Sequence, residues 1–190
     1  MPGKTTYLAL LRGINVGGKN KLPMAALKQM LEATGLEDVA TYIQSGNAIF
    51  RSGLAAGTIA RKVEAGISSG FKLDTELIRV LVLRHDELKA VVDNRPRGFG
   101  DEPDKYHSDA IFLMGLDIDE AMGVFAPRDG VDRIWPGRGV IYSQRLSAER
   151  TRSRLSKIVA SPLYKSMTIR SWQTTLKLLQ LLDEAAGSRT

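Results

Sequence analysis

Cysteine is absent from this chain of 190 residues, which excludes a disulfide framework, a thiolate nucleophile and a cysteine-ligated zinc site. Histidine is nearly absent: His85 and His107 stand alone, far apart in sequence, too few for a histidine-built metal centre. No run approaches the roughly eighteen apolar residues of a membrane-spanning helix. The opening MPGKTTYLALLRG has neither a charged-then-apolar leader nor a small-residue cleavage site. The expectation is a soluble, unexported protein without a membrane partner, cytoplasmic by default, holding no metal and no cofactor.

What is present is an ordinary globular mixture, 43% hydrophobic and 25% charged, enough for one domain or two small ones. The net charge of +6 is unevenly spread. Residues 138 to 190 hold 10 basic and 3 acidic side chains, so all of the excess lies in the last quarter. Such asymmetry is either a polyanion footprint or a solvated helix face.

Apolar spacing predicts a strand over 6–11 and a helix that starts near Pro23 and ends near Gly35. A hairpin follows, with strands 39–44 and 47–52 flanking a two-residue turn at Ser45-Gly46, which sets Gln44 opposite Asn47. A second helix over 58–67 and a strand over 76–83 complete a βαββαβ order. After a helix over 85–94, the stretch RPRGFGDEPDKY loses periodicity, and 95–106 is expected to be a linker. The same order then repeats: strand 107–115, helix 117–125, strands 132–136 and 139–143, a short helix near 153–160, strand 166–170 and a final helix from Trp172 to about Ala186. The fold expectation is therefore α+β, with two ferredoxin-like (α-β plait) domains, 1–94 and 107–190, each carrying a trailing helix. In the first hairpin Val39, Thr41, Ile43, Ala48 and Phe50 share the face expected to lie beneath the helices.

Between Gly13 and Asn20 the stretch LLRGINVGGKNKL comes within one residue of the phosphate-loop pattern G-x-x-x-x-G-K-[ST]. Asn20 occupies the position of the magnesium-binding hydroxyl, the helix signal begins late, and a tight antiparallel hairpin follows in place of a parallel βαβ unit. A phosphate-loop triphosphatase is excluded on those grounds. What remains is a glycine-rich loop carrying Arg12, Asn15, Lys19, Asn20 and Lys21. It is either an anion-binding nest or a crossover whose glycines turn the chain.

YLALLRGINVGGKNKLPM (7–24), TYIQSGNAIF (41–50) and TIRSWQTTLKLL (168–179) together resemble the domain-of-unknown-function family 1697, with a likeness that runs along essentially the whole chain. The resemblance implies a pair of ferredoxin-like plaits in a bacterial-type cytosolic protein and brings no established activity, substrate, cofactor or catalytic residue. Where the family has Arg-Asn-Trp, this chain has Arg170-Ser171-Trp172, and serine caps a helix as asparagine does.

Other constellations are thinner. His107-x-Asp109 places two polar side chains on one strand face, and Ser45 lies in QSGN, not in a nucleophile elbow. RLSAERTRSRLSKIVASPLYK (145–165) sets Arg145, Arg150, Arg152, Arg154 and Lys157 around an apolar stripe of Leu155, Ile158 and Val159, a pattern able to neutralise phosphates. The expected function is binding of an anion, nucleotide or nucleic acid, through Arg12, Asn15, Lys19, Asn20, Lys21, Gln44, Asn47 and Arg170, with Arg145 to Lys157 as a polyanion patch. With no acid, base or nucleophile identifiable, catalysis is not the favoured reading. An enzyme acting on a phosphorylated or carboxylated small molecule and a ligand-free interaction module stand as the alternatives.

Overall fold

The structure, a computed structural model, describes residues 3–74 and 78–187. It is α+β, with two four-stranded antiparallel sheets and helices. Close packing divides the chain into two compact units, Met1–Leu88 with Leu178–Thr190, and Lys89–Lys177. Residues 95–106, expected as a linker, fall inside the second unit, where Phe99 is fully buried.

In the first unit β1 (Thr5–Arg12), α1 (Met24–Ala33), β2 (Glu37–Tyr42), β3 (Asn47–Ser52), α2 (Ala56–Gly70) and β4 (Arg79–Arg84) follow one another, and the sheet order is β2-β3-β1-β4. Glu76 and Leu77, at the start of the strand expected over 76–83, lie outside the described residues. The central strand β1 is a continuous apolar run because both of its faces are buried: Tyr7, Ala9 and Leu11 point one way and Leu8 and Leu10 the other. The first set packs with Ala48 and Phe50 of β3 and Val80 and Val82 of β4. Helices α1 and α2 close this face with Leu27 and Leu31, and with Ile59, Val63 and Ile67, the four-residue spacing that gave α2 its apolar stripe.

The hairpin departs from expectation at its turn. Asn47 pairs with Tyr42, not with Gln44, so Ile43 to Gly46 form a four-residue turn. The reason is Asn47 itself, whose Nδ2 donates to the Tyr42 carbonyl (2.9 Å) and to Ser45 Oγ (3.0 Å). The price of that wider turn is a left-handed Ile43 (φ 47°), which reverses the chain beside Gly46 (φ 81°).

The second unit runs α3 (His85–Asp93, shared with the first unit), β5 (Tyr106–Leu113), α4 (Ile118–Met122), β6 (Asp132–Gly137), β7 (Val140–Leu146) and β8 (Met167–Ser171), and the sheet order is β6-β7-β5-β8. The helix expected near 153–160 is a run of three 3-10 turns between Ser147 and Ser166. Leu155 and Ile158 from this run join Ala121 and Phe125 over Ile111, Leu113, Ile141 and Met167. Within the unit Phe99 sits edge-on to Tyr142, Trp172 and Trp135, with ring centroids 5.2, 5.0 and 6.0 Å away, and the Tyr142 hydroxyl donates to the Val91 carbonyl (2.6 Å). The last helix, α5 (Trp172–Gly187), begins in this unit and ends in the first.

Candidate functional site

The β1–α1 loop closes on itself as a small hairpin. Val16 and Lys19 form an isolated antiparallel bridge around Gly17 and Gly18, whose φ angles of 58° and 76° suit the two central positions of a primed turn. Asn15 holds the base of this hairpin: its Nδ2 donates to the carbonyls of Leu22 and Gln44 (3.0 Å each), while its Oδ1 accepts from Leu22 N–H (2.7 Å). Asn20 is only 1% exposed, and its Nδ2 donates to the Gly13 carbonyl (2.7 Å). The loop is thus built by asparagine amides that imitate backbone pairing. The QSGN turn docks on it, since Leu11 N–H donates to Gly46 O (2.8 Å) and a methyl group on Gly46 would lie 2.8 Å from Ile14 Cδ1.

Of the residues singled out in sequence, the first unit therefore holds Asn15, Asn20 and Asn47 in backbone hydrogen bonds, and presents Lys19, Lys21 and Gln44 to solvent. Arg12 ends β1, half-buried. Arg170 belongs to the second unit. It is buried on β8, donates to Thr168 Oγ1 (3.0 Å) and Ile169 O (2.8 Å), and burial pushes its guanidinium down to about 10.

The basic segment of the second unit is different in kind. Arg150, Arg152, Arg154 and Lys157 are exposed, and Leu155 and Ile158 anchor the segment from beneath. Glu149 pairs with Arg152 (3.1 Å). Asp132, at the start of β6, is turned inward: its Oδ2 accepts the backbone N–H groups of Arg128 (3.0 Å) and Arg154 (2.8 Å), fastening the segment to the sheet. Arg145, its cross-strand partner on β7, is half-buried, and Asp132 Oδ1 and Arg145 Nε are both buried without a hydrogen-bond partner.

Sequence reading undervalued the start of β5. His107 Nε2 lies 3.1 Å from Asp109 Oδ1, and burial pushes the Asp109 carboxyl up while His107 and Arg145 pull it down. The x between them in His-x-Asp was the visible signal; what the sequence concealed is the recess beside them, lined by residues from 100 to 108 and 171 to 173. Among the described residues no group of three or more histidine, aspartate or glutamate side chains is placed to hold a metal ion, and no helix is long and apolar enough to cross a membrane.

Comparison with known proteins adds two findings. The profile of the family described as protein of unknown function, DUF1697, matches residues 4–142. A solved structure of a conserved bacterial protein from Streptococcus pneumoniae is similar over 95% of this chain and 99% of its own, with 29% identity and a TM-score of 0.78. No curated protein matches the sequence.

Proposed function

Because the chain belongs to the DUF1697 family, whose description assigns no activity, we propose from its own geometry that it binds a polyanion, single-stranded nucleic acid, through the basic segment of the second unit. The observation that carries this reading is the display of Arg150, Arg152, Arg154 and Lys157 in solvent on a segment fixed from below by Leu155, Ile158 and Asp132. A merely solvated face needs no such fastening. Guanidinium groups suit the task because they pair with phosphate oxygens in a planar, two-pronged geometry. Asn15, Asn20 and Asn47 serve their own backbone, so of the first-unit residues singled out in sequence Lys19 and Lys21 support the same reading as exposed cations. The two sheet orders, each with the first and third strands of its unit at the centre, support ferredoxin-like plaits as the finer description of the fold.

The test is fluorescence anisotropy with single-stranded oligonucleotides across a salt series. Binding should weaken steeply with salt, and replacing Arg150, Arg152 and Arg154 by alanine should flatten the log–log slope by roughly 2, at about 0.7 for each single-strand phosphate contact. No detectable binding at low salt, where phosphate attraction is strongest, would sink the reading.

A further inference from the structure

Strand β5 outruns its neighbour. It pairs with β7 from Tyr106 onward but with β8 only from Asp109, opposite Ser171, because the chain leaves β8 for α5 at Trp172. The uncovered stretch Tyr106 to Ser108, the start of α5 and Gly100 enclose a recess of about 100 Å³.

The groups around it are unusual in their uncommitted hydrogen-bonding capacity. Trp172 is only 4% exposed, yet its indole N–H, which can only donate, has no hydrogen-bond partner among the described residues. Gly100 lies against that edge of the indole: its φ is 79°, and a methyl group there would come within 2.3 Å of Trp172 Cδ1 and 2.5 Å of Nε1. Ser108 Oγ already accepts from Gln144 Nε2 (3.1 Å), so its own O–H is left to donate. The imidazole of His107 and the exposed amide of Gln173 complete the lining. Asp109 is the neighbouring carboxylate, and it is engaged with His107. The positive end of the 16-residue α5 adds a further preference for negative charge.

An acceptor-rich ligand of few atoms fits such a donor set. We propose that this recess is a binding site for a small oxyanion, a carboxylate or phosphate group, held by the Trp172 N–H together with the Ser108 hydroxyl. The site is distinct from the arginine segment and does not depend on nucleic-acid binding.

The chain has two tryptophans, hence two indole N–H resonances in a 15N-correlated NMR spectrum, and Trp135→Phe assigns them. Titration with inorganic phosphate and, separately, acetate should move the Trp172 N–H resonance saturably in the millimolar range, with chloride at matched ionic strength leaving it in place. Ser108→Ala should weaken the site about tenfold, the scale of one hydrogen bond to a charged group. Ser108→Gly serves the same purpose if the alanine variant fails to fold. A Trp172 resonance that does not respond, that responds equally to chloride, or that saturates unchanged in the variant that folds overturns the proposal.

Discussion

Asn20 and Asp74, 54 positions apart, bind each other reciprocally: Asn20 N–H donates to Asp74 Oδ2 at 2.6 Å, and Asp74 N–H donates to Asn20 Oδ1 at 2.7 Å. The asparagine therefore ties the β1–α1 loop to the approach to β4, while its Nδ2 holds Gly13. Alanine at this position would leave two part-buried backbone groups, the Asp74 N–H and the Gly13 carbonyl, unmatched and would sit at φ 46°, a left-handed conformation. Asn20→Ala should cost roughly 2 to 4 kcal/mol in urea unfolding. Lys19→Ala, one residue away on the exposed turn, should stay within about 0.5 kcal/mol. Equal effects from the two substitutions would show that the loop is not held by this pair.

The turn requires a left-handed residue at position 43, and an isoleucine there carries avoidable strain. Left-handed backbone costs an L-residue roughly 1 to 2 kcal/mol and is least tolerated by a β-branched side chain. Its side chain is also 48% exposed, so little burial offsets that cost. Asparagine accepts the same conformation readily, and Ile43→Asn should raise stability by about 1 kcal/mol, a rise of several degrees in melting temperature for a unit of this size. A fall in melting temperature would mean that the isoleucine side chain contributes packing worth more than its backbone strain.

These two residues mark where the sequence could and could not be read. Strand and helix positions followed from apolar periodicity, because Tyr7-x-Ala9-x-Leu11 and Ile59-x-x-x-Val63-x-x-x-Ile67 are buried by the geometry that produces those periods. The turn at Ile43 was missed because its form depends on where the Asn47 amide sends its hydrogens, and no local pattern encodes that. Asn15 and Asn20 resembled ligand-binding groups for the same reason: a polar side chain among glycines looks alike whether its partner is a phosphate or its own backbone. The arginine segment was visible as composition, but its fastening through Asp132 required a contact across 22 residues.

Asp109 makes stability depend on pH in a predictable direction. Burial raises its carboxyl above the ordinary range, so the folded chain holds this proton more tightly than the unfolded chain does. The contribution favours folding below the unfolded-state value and is lost as pH rises through the folded-state value. Asp109→Asn has no proton to lose. Relative to the parent protein it should gain stability as pH rises above the unfolded-state carboxylate value of about 3.9, as measured by urea midpoints. A difference that is flat with pH, or that shrinks, would mean that the attraction of His107 and Arg145 outweighs desolvation.

Asp132 separates positioning from charge by the sign of an effect. Removing its negative charge, which sits on the backbone of Arg128 and Arg154, should, on Coulomb grounds alone, tighten polyanion binding. Its carboxylate also fixes the segment by accepting the Arg128 and Arg154 backbone N–H groups, and losing that acceptor should loosen the segment and weaken binding. Asp132→Asn and Asp132→Ala remove the same charge, but only alanine removes the acceptor. Expected outcomes are oligonucleotide affinity equal to or above the parent's for asparagine and about tenfold lower for alanine. In the alanine variant the Arg128 and Arg154 amides should also lose protection from hydrogen exchange, because each then lacks its charge-assisted bond. If both variants bind more tightly, Asp132 acts only as a counter-charge. If those amides exchange rapidly in the parent protein, the fastening itself is refuted, whatever the nucleic-acid result.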